Sequence, residues 1–270
     1  MPVTSNPFIK LQYTFNAAKG NYIQWTLNPA FTGKAPYSFT LQAFEDVGFK
    51  EPIFQKNVGE AFFAVDDSNI RQNLTNSYMY RVVLNTADQK RFISPWIDYG
   101  NSTGSAKHKW LMANEITRKH QVGMWRYGLY GYLLKRKNYA PVALGEVDPV
   151  TGEPTIDSTA GSFGVGQKGG YFDPVLFKYW LMAYKGSMDY QQEGRGITYR
   201  EDASVWTVGF PFITSHDIMV NEEGKRFMVT NATDTFFPGT LISLRQSCTL
   251  QIIPSTDTVY SIPVPDFPHE

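Results

Sequence analysis

Two carboxylate pairs in the second half of the sequence are the residues best suited to acid–base chemistry. Asp189 and Glu193 flank a polar, glycine-rich stretch, and Glu201 and Asp202 are adjacent. A glycoside hydrolase needs two carboxylates at a defined separation, one of them with a raised pKa. Adjacent residues of a strand point to opposite faces, so Glu201 and Asp202 do not make such a pair by themselves. A hydrolase that uses these carboxylates is therefore the least favoured of the functions considered below.

The other reactive side chains do not fall into a recognisable site. No two of the four histidines lie at the spacing of zinc ligands, and no Gly-x-Ser-x-Gly motif or phosphate-binding loop is present. The one cysteine, Cys248, lies in an apolar strand pattern that predicts a buried, unreactive thiol. The acidic residues of one loop do not match a calcium-binding pattern; they are Glu146, Asp148, Glu153 and Asp157. We predict no catalytic residue, no cofactor and no metal ion.

Composition narrows the class of protein further. The 270 residues carry 25 Lys plus Arg and 25 Asp plus Glu, and this neutral balance argues against a general nucleic-acid coat. Aromatic residues reach 15% of the chain, which suits both the filling of β-sheets and contacts between proteins. A single cysteine excludes an internal disulfide and fits folding in a reducing cytosol. We expect no signal peptide and no bilayer-spanning segment.

The first hundred residues contain short runs in which apolar and polar residues alternate, separated by turn residues at intervals of about 8–12. Trp25 lies early in this region, and Leu74 precedes Tyr80 by six positions. The pattern resembles fibronectin type III and immunoglobulin-like modules, with Trp25 as the core tryptophan and Tyr80 as the corner tyrosine. The resemblance implies a β-sandwich at 1–98 that binds or spaces other molecules.

The remainder predicts a second, β-rich domain at 106–258 after a polar linker at 99–105. Spacing at i, i+4 predicts a helix over about 106–122, capped by Ser105 and ended by Gly123. The fold class is thus mainly β: an N-terminal immunoglobulin- or fibronectin-like sandwich plus a second β-rich (α+β) domain with one helix.

Further elements of this second domain follow from local patterns. Residues 129–136 predict a strand, and 140–170 a long loop without periodicity. Residues 217–229 predict a hairpin with a Glu-Gly turn, in which Ile218 and Val220 face Phe227 and Val229. Prolines at 263, 265 and 268 predict an extended C-terminal arm at 259–270, which either lies on a neighbouring subunit or frays.

The stretch from Tyr132 to Pro174 carries a second resemblance. Its frame is Tyr132-Leu-Leu-Lys-Arg-Lys, then Asp148-Pro-Val-Thr-Gly152, Gly164-Val-Gly166 and Gly169-Gly170-Tyr171-Phe-Asp-Pro174. It resembles a family of tailed-bacteriophage virion proteins in which a similar frame encloses two Cys-x-x-Cys pairs. The corresponding positions here are Ala143, Glu146, Thr159 and Ser162. The resemblance therefore implies that the turns were kept and that a zinc knuckle was lost.

This resemblance implies a structural virion protein, not an enzyme: a ring in the phage neck between the capsid portal and the tail, as a head-to-tail connector or collar. Its partners would be copies of itself and the portal, adaptor and tail proteins, with DNA only as cargo in the channel and no membrane. Its location would be the virion, assembled in the host cytoplasm. The main alternative is a carbohydrate- or cell-surface-binding module of a tail or baseplate.

A ring needs heterologous contacts, in which one patch meets a different patch on the neighbour. Aromatic residues around the predicted domain junction, with two residues of the arm, are the candidate anchors of such contacts, although for any single residue packing within its own chain is slightly favoured over an interface role. The candidate interface residues are Trp96, Trp110, Trp125, Tyr127, Tyr130, Tyr260 and Ile262.

Overall fold

Alternation of apolar and polar residues produces strands in both halves of this chain, and a computed structural model describes fifteen of them together with one α-helix. The residues described are 6–16, 19–28, 31, 33, 35–45, 48, 50–68, 78–97, 104–137, 170–182, 191–193, 196–198, 202–238 and 242–268. The predicted fold class, mainly β with one helix, is confirmed.

The first seven strands form two antiparallel sheets. One sheet has the order β1-β2-β5 and consists of β1 (Phe8–Asn16), β2 (Gly20–Leu27) and β5 (Phe63–Asp66). The other has the order β4-β3-β6-β7 and consists of β3 (Ser38–Phe44), β4 (Phe54–Gly59), β6 (Met79–Asn85) and β7 (Arg91–Ile93). In an immunoglobulin constant domain the fourth strand pairs with the fifth, whereas here it pairs with the third.

Side chains from the two sheets meet in a common core, as the sandwich prediction requires. Trp25 of β2 is 3% exposed, and its ring centroid lies 5.2 Å from that of Phe39 on β3. Leu41 and Leu84 beside Phe39 are fully buried. Trp25 is therefore a core tryptophan of a β-sandwich.

Tyr80 connects the two sheets through a buried polar chain. Its hydroxyl donates to the Asp66 carboxylate at 2.6 Å and accepts from the Asn21 amide at 2.9 Å. Asn21 in turn accepts from the Tyr13 hydroxyl at 2.6 Å. Burial first, and then the Asp66 charge, raise the pKa of Tyr80 well above its usual value, so the phenol stays neutral. The predicted corner tyrosine is thus buried as expected, but the described contacts join it to side chains of the facing sheet.

Six later strands close into a barrel with the order β12-β15-β14-β13-β8-β9. These are β8 (Leu129–Leu134), β9 (Val175–Leu181), β12 (Asp202–Val208), β13 (Ile218–Asn221), β14 (Arg226–Phe236) and β15 (Ser243–Ile252). A separate two-stranded pair consists of β10 (Gln191–Glu193) and β11 (Gly196–Thr198). The predicted strand at 129–136 ends at Leu134.

Alternation along the barrel strands divides their side chains between an inner and an outer cluster. The interior contains Leu133, Phe177 and Met219, among others. The outer cluster contains Leu134 and Ile218, which point away from the barrel axis. A strand that is apolar on both faces must be buried on its outer face as well as on its inner face. Here the C-terminal end of the chain packs over the outer cluster.

The C-terminal segment, defined as residues 258–268, packs on the outer face of the barrel of its own chain. It begins with a 3₁₀ turn at Thr258–Ser261. The Arg226 guanidinium donates to the carbonyl oxygen of Val259 and, at 2.6 Å, to that of Ile262. The Tyr132 ring packs at a tilt against that of Phe267, with 4.8 Å between the centroids. The sequence predicted an extended arm that lies on a neighbour or frays; the described part is instead anchored within the chain.

The helix α1 (Gly104–Tyr127) is longer at both ends than the predicted 106–122. Gly123, the predicted end, lies inside it, and the helix stops at Gly128. A Cβ at Gly128 would lie 2.4 Å from the Met124 carbonyl oxygen, which accepts from the Gly128 amide at 2.8 Å. Glycine is required at that point because no side chain fits where the chain turns into β8.

The predicted hairpin at 217–229 exists, but its predicted register is wrong by one residue. Ile218 pairs with Met228, and Val220 pairs with Arg226. Gly224 has φ of 77° and donates its amide to the Asn221 carbonyl at 2.9 Å, which sets the length of the turn. Because the side-chain period of a strand is two, a slip of one residue exchanges the inner and outer sets.

The chain divides into two compact units. The first comprises Met1–Lys119, Lys137–Thr155 and Phe236–Leu244, and the second comprises His120–Arg136, Ile156–Thr235 and Arg245–Glu270. The first contains the sandwich and the second most of the barrel. The predicted domain limits, 1–98 and 106–258, stay a prediction. In the described part of the chain, no helix is both long and apolar enough to cross a membrane.

Candidate functional site: an exposed aromatic patch

A row of four rings runs across one outer face of the barrel. Trp180 of β9 and Trp206 of β12 are cross-strand partners, and their rings stack at 5.6 Å between centroids with 19° between planes. Tyr127 at the end of α1 continues the row at 6.1 Å from Trp180. His120 lies at the other end, edge-on to Trp206 at 5.9 Å.

The strand pattern explains why these rings point outward. Phe177 and Tyr179 of β9 are both 6% exposed and belong to the barrel interior. The residues between and after them, Lys178 and Trp180, must then point outward. On β12, Val205 is buried in the interior, so Trp206 occupies the outer face.

Lys178 fixes the end of α1 beside this face. Its ammonium donates to the Trp125 carbonyl oxygen at 3.0 Å and lies 4.1 Å from the centroid of the Tyr130 ring. The last carbonyls of a helix lack partners within the helix, and a lysine is a favourable donor for them. The contact with the ring adds a cation–π attraction. The aromatic residues that end α1 are therefore held against β8 and β9.

The outward-pointing rings of this row, with the exposed Met182 two residues after Trp180, form a surface that we name the aromatic patch. It consists of Tyr127, Trp180, Met182 and Trp206. Tyr127 is 68% exposed, Met182 44% and Trp180 40%. At roughly 150–250 Å² per aromatic side chain, Tyr127 and Trp180 alone expose on the order of 200 Å². Exposed aromatic side chains are enriched at protein interfaces, so this face is the candidate binding surface.

The chemistry available on the patch is stacking and apolar packing. Burial, with smaller effects from Glu222 and Glu223, raises the pKa of the underlying Tyr179 to about 12, so this phenol is neutral. Tyr130, at the edge of the patch, donates its amide to the Glu222 carboxylate at 2.9 Å. The contacts that the patch can offer a partner are therefore stacking and apolar packing.

The structure brings some of the predicted interface residues together and separates others. Trp125, Tyr127 and Tyr130 lie in or beside the aromatic patch. Trp96 belongs to the sandwich unit, where its ring meets Phe44 edge-on at 5.2 Å. The side chain of Trp110 lies outside the described residues.

The last two predicted interface residues belong to the C-terminal segment. Ile262 is 8% exposed and packs in the outer cluster of its own barrel. The Tyr260 hydroxyl accepts from the Arg226 amide at 3.1 Å and donates to the Ile253 carbonyl at 3.2 Å. Both side chains are therefore engaged within the chain.

Three members of the aromatic patch were not predicted from the sequence: Trp180, Met182 and Trp206. The signal that identifies the two tryptophans is alternation. Once Phe177 and Val205 are assigned to the interior, Trp180 and Trp206 occupy outward positions where a polar residue is usual. That the two strands are neighbours follows only from closure of the barrel.

A cleft of about 610 Å³ opens at another place in the barrel unit. Arg136, His216 and Asp257 are among its lining residues, above an apolar floor that includes Ile218 and Met228. His216 has a φ of 69°, and its amide donates to the Val229 carbonyl at 2.7 Å. Asp257 is the one carboxylate of this lining, so the two-carboxylate chemistry of a glycosidase is not assembled in the cleft.

Several sequence predictions fall outside the described residues. These are the frame positions Ala143, Glu146, Thr159 and Ser162, the loop carboxylates Asp148, Glu153 and Asp157, and the side chains of Asp189, Glu193, Glu201 and Asp202. The predicted cap at Ser105 is wrong, because α1 begins at Gly104 and Ser105 lies inside it. Within the described residues, no three His, Cys, Asp or Glu side chains come together as a metal site. Cys248 is 3% exposed, and burial raises its pKa to about 12, which confirms the predicted buried thiol.

No protein-family model matches the chain, and no curated protein has detectable sequence similarity to it.

Proposed function

We propose that this chain is a structural protein that assembles into a ring in the neck of a tailed bacteriophage, as a head-to-tail connector or collar. The observation that carries the proposal is the aromatic patch, a solvent-exposed surface of tryptophan, tyrosine and methionine side chains on the outside of a closed barrel. Such a surface suits long-lived contacts between subunits. Tryptophan and tyrosine are the residues most often found to anchor interfaces.

The barrel supports this function because its hydrogen-bonded edges are closed. A closed barrel offers no free strand edge for pairing, so association has to use side chains on its outer face. One part of that face is occupied by the C-terminal segment, and the aromatic patch lies on another. A heterologous contact between the patch and a different surface of the next copy would propagate around a ring.

The sequence resemblance adds independent support. The frame from Tyr132 to Pro174 is similar to that of phage virion proteins, and the hairpin with Glu223-Gly224-Lys225 at its turn is of a kind found in connector barrels. The neutral charge of the chain fits a protein that encloses DNA as cargo without coating it. Portal, adaptor and tail proteins would be its other partners in the virion.

The solution mass of the purified chain tests the proposal, by light scattering with negative-stain imaging of any large species. We expect rings of one defined size. The double variant Tyr127→Ser/Met182→Ser removes two patch side chains that are 68% and 44% exposed, so the fold should survive while rings are lost. The matched control is Ile9→Ser/Ile53→Ser, which removes equally exposed apolar side chains of the sandwich unit, at 60% and 53%. A wild-type chain that stays monomeric at all concentrations, or rings that survive the patch variant, would contradict this assignment.

The second candidate function is a carbohydrate-binding module of a tail or baseplate. It is favoured by Trp125, whose ring is 71% exposed and available for stacking on a sugar. Saturable binding on a glycan array by a monomeric chain, lost in Trp125→Ala and kept in Ile9→Ser, would support it over the ring. Rings without glycan binding would eliminate it.

A further inference from the structure

The helix α1 has one face buried in its own chain and one face exposed. Ala113, Thr117 and Met124 on the first face are between 0% and 3% exposed. The exposed face carries a second row, spaced alternately three and four residues apart, which we name the exposed stripe. It consists of His108, Leu111, Glu115, Arg118, Val122 and Trp125. Alternating three- and four-residue spacing is the pattern of the seam through which two helices pack.

The exposed stripe is self-complementary when read in the opposite direction. If a second α1 lies antiparallel, centred between residues 116 and 117, each stripe residue meets a suitable partner. Leu111 meets Val122, Glu115 meets Arg118, and His108 meets Trp125, each pair occurring twice. A single antiparallel register therefore forms an apolar pair, an ion pair and an aromatic pair at the same time. The match follows only from the order of the stripe residues when one helix is read in the opposite direction.

The charges and exposures of the stripe suit this arrangement. Within one helix, Arg118 donates to both carboxylate oxygens of Glu115 at 2.8 Å, and their side chains are 49% and 47% exposed. In the antiparallel pair, two carboxylates and two guanidinium groups would alternate around the two-fold axis. Leu111, Val122 and Trp125 are 37%, 42% and 71% exposed, so burial of their apolar surface would favour association.

We propose that α1 binds the α1 of a second copy of this chain, antiparallel and across a two-fold axis, through the exposed stripe. The stripe is about 26 Å long at 1.5 Å per residue. The contact is isologous and closes at two copies, whereas the proposed ring contact is heterologous. The proposal therefore goes beyond the proposed ring and does not rest on it. No residue of the exposed stripe belongs to the aromatic patch.

Cysteine cross-linking tests the register directly. In the antiparallel pair, residue 111 of one copy lies beside residue 122 of the other, while the two copies of residue 111 are about 16 Å apart. We expect the double variant Leu111→Cys/Val122→Cys to form a disulfide-linked dimer under mild oxidation in dilute solution. The single variants Leu111→Cys and Val122→Cys should not, and Cys248 adds no background because it is buried. Equal cross-linking of the single and double variants, or a ladder of larger species, would overturn the proposal.

Exchange of the two charged residues provides a second test. Its expected result is recovery of dimerisation in the double variant, which a misfolded protein would not show. Glu115→Arg or Arg118→Glu alone would place like charges opposite each other twice and weaken the dimer about ten-fold by sedimentation analysis. The double exchange Glu115→Arg/Arg118→Glu restores the match and should return the dissociation constant to near wild type. Lys109→Glu, exposed but off the stripe, is the control. A wild-type chain without any dimer, or a double exchange as weak as the single variants, would refute the pairing.

The two proposals fail separately. If Tyr127→Ser/Met182→Ser abolishes rings while the 111–122 cross-link persists, the helix pairing stands whatever the ring does. If rings form but the cross-link does not, the pairing is wrong and the proposed function is untouched.

Discussion

The buried ion pair between Lys135 and Asp217 holds the end of β8 to the loop before β13, and its removal should destabilise the barrel strongly. The Lys135 ammonium donates to the Asp217 carboxylate at 2.8 Å, and the two side chains are 4% and 0% exposed. Asp217 also accepts from the amide of Arg136 at 3.0 Å and from the amide and hydroxyl of Thr214 at 2.6 and 2.9 Å. We consider the substitution Asp217→Asn.

The expected loss follows from these four donors. An asparagine has one acceptor oxygen, and its NH₂ group would face donors, so at least one buried donor loses its partner while the Lys135 charge stays buried. Breaking a buried pair by removing one partner costs about 3–5 kcal/mol. Domains are stable by only about 5–15 kcal/mol, so a large share of the free energy of unfolding would be lost. For a chain of this size the melting temperature should fall by roughly 10 °C.

Urea unfolding followed by circular dichroism measures this loss for Asp217→Asn, Lys135→Met and the double variant Lys135→Met/Asp217→Asn. The double variant leaves no unpaired buried charge, so its loss should be smaller than the sum of the two single losses. A loss below about 1 kcal/mol for Asp217→Asn, or strictly additive losses in the double variant, would refute the reasoning.

Three further predictions concern other parts of the chain. Tyr80→Phe leaves Asp66 without its 2.6 Å donor in the sandwich core and should lower the free energy of unfolding by about 1–3 kcal/mol in urea titrations, whereas an unchanged midpoint would contradict the buried polar chain. Arg226→Met removes the donors to Val259 and Ile262, so the C-terminal segment should become sensitive to limited proteolysis while the far-ultraviolet spectrum stays native; equal cleavage of wild type and variant would show that other contacts hold it. Cys248 should react with a thiol reagent at pH 8–9 only after unfolding, since burial raises its pKa to about 12. Because the unfolded thiol ionises near pH 8.5 and the folded one near 12, Cys248 should make stability fall as pH rises through that window, and a Cys248→Ala variant should lack this part of the slope.

Local sequence signals were sufficient for the sandwich and for several details of the barrel. Trp25 and Cys248 were predicted to be buried, and both are 3% exposed. These predictions depend on side-chain type and on the alternation of apolar and polar residues, and both can be read from a short stretch of sequence. The hairpin at 217–229 could be predicted because its turn requires one residue with a positive φ. Glycine adopts a positive φ readily, and Gly224 occupies that position.

Boundaries and register depended on contacts that are distant in sequence. Gly123 and Gly128 look alike as stop signals, but only Gly128 lies where Lys178 binds the helix end and where the Met124 carbonyl leaves no space for a side chain. The register of the hairpin was wrong because both alternatives place apolar residues together. Met219 packs in the barrel interior, whereas Ile218 packs in the outer cluster with the C-terminal segment. Only these tertiary contacts decide which of the two residues points inward.

The candidate site divides in the same way. The sequence by itself determined that Trp125, Tyr127 and Tyr130 form an aromatic cluster, because they are neighbours along the chain. Only the tertiary structure joined Tyr127 to the stacked pair Trp180 and Trp206, which lies more than 50 residues further on, through the pairing of β8, β9 and β12. Only the tertiary structure decided that Ile262 is covered and Trp125 exposed, because exposure depends on which distant segment packs over a face. A strand or helix pattern specifies that a face is apolar, and the fold decides whether the chain itself or a partner covers it.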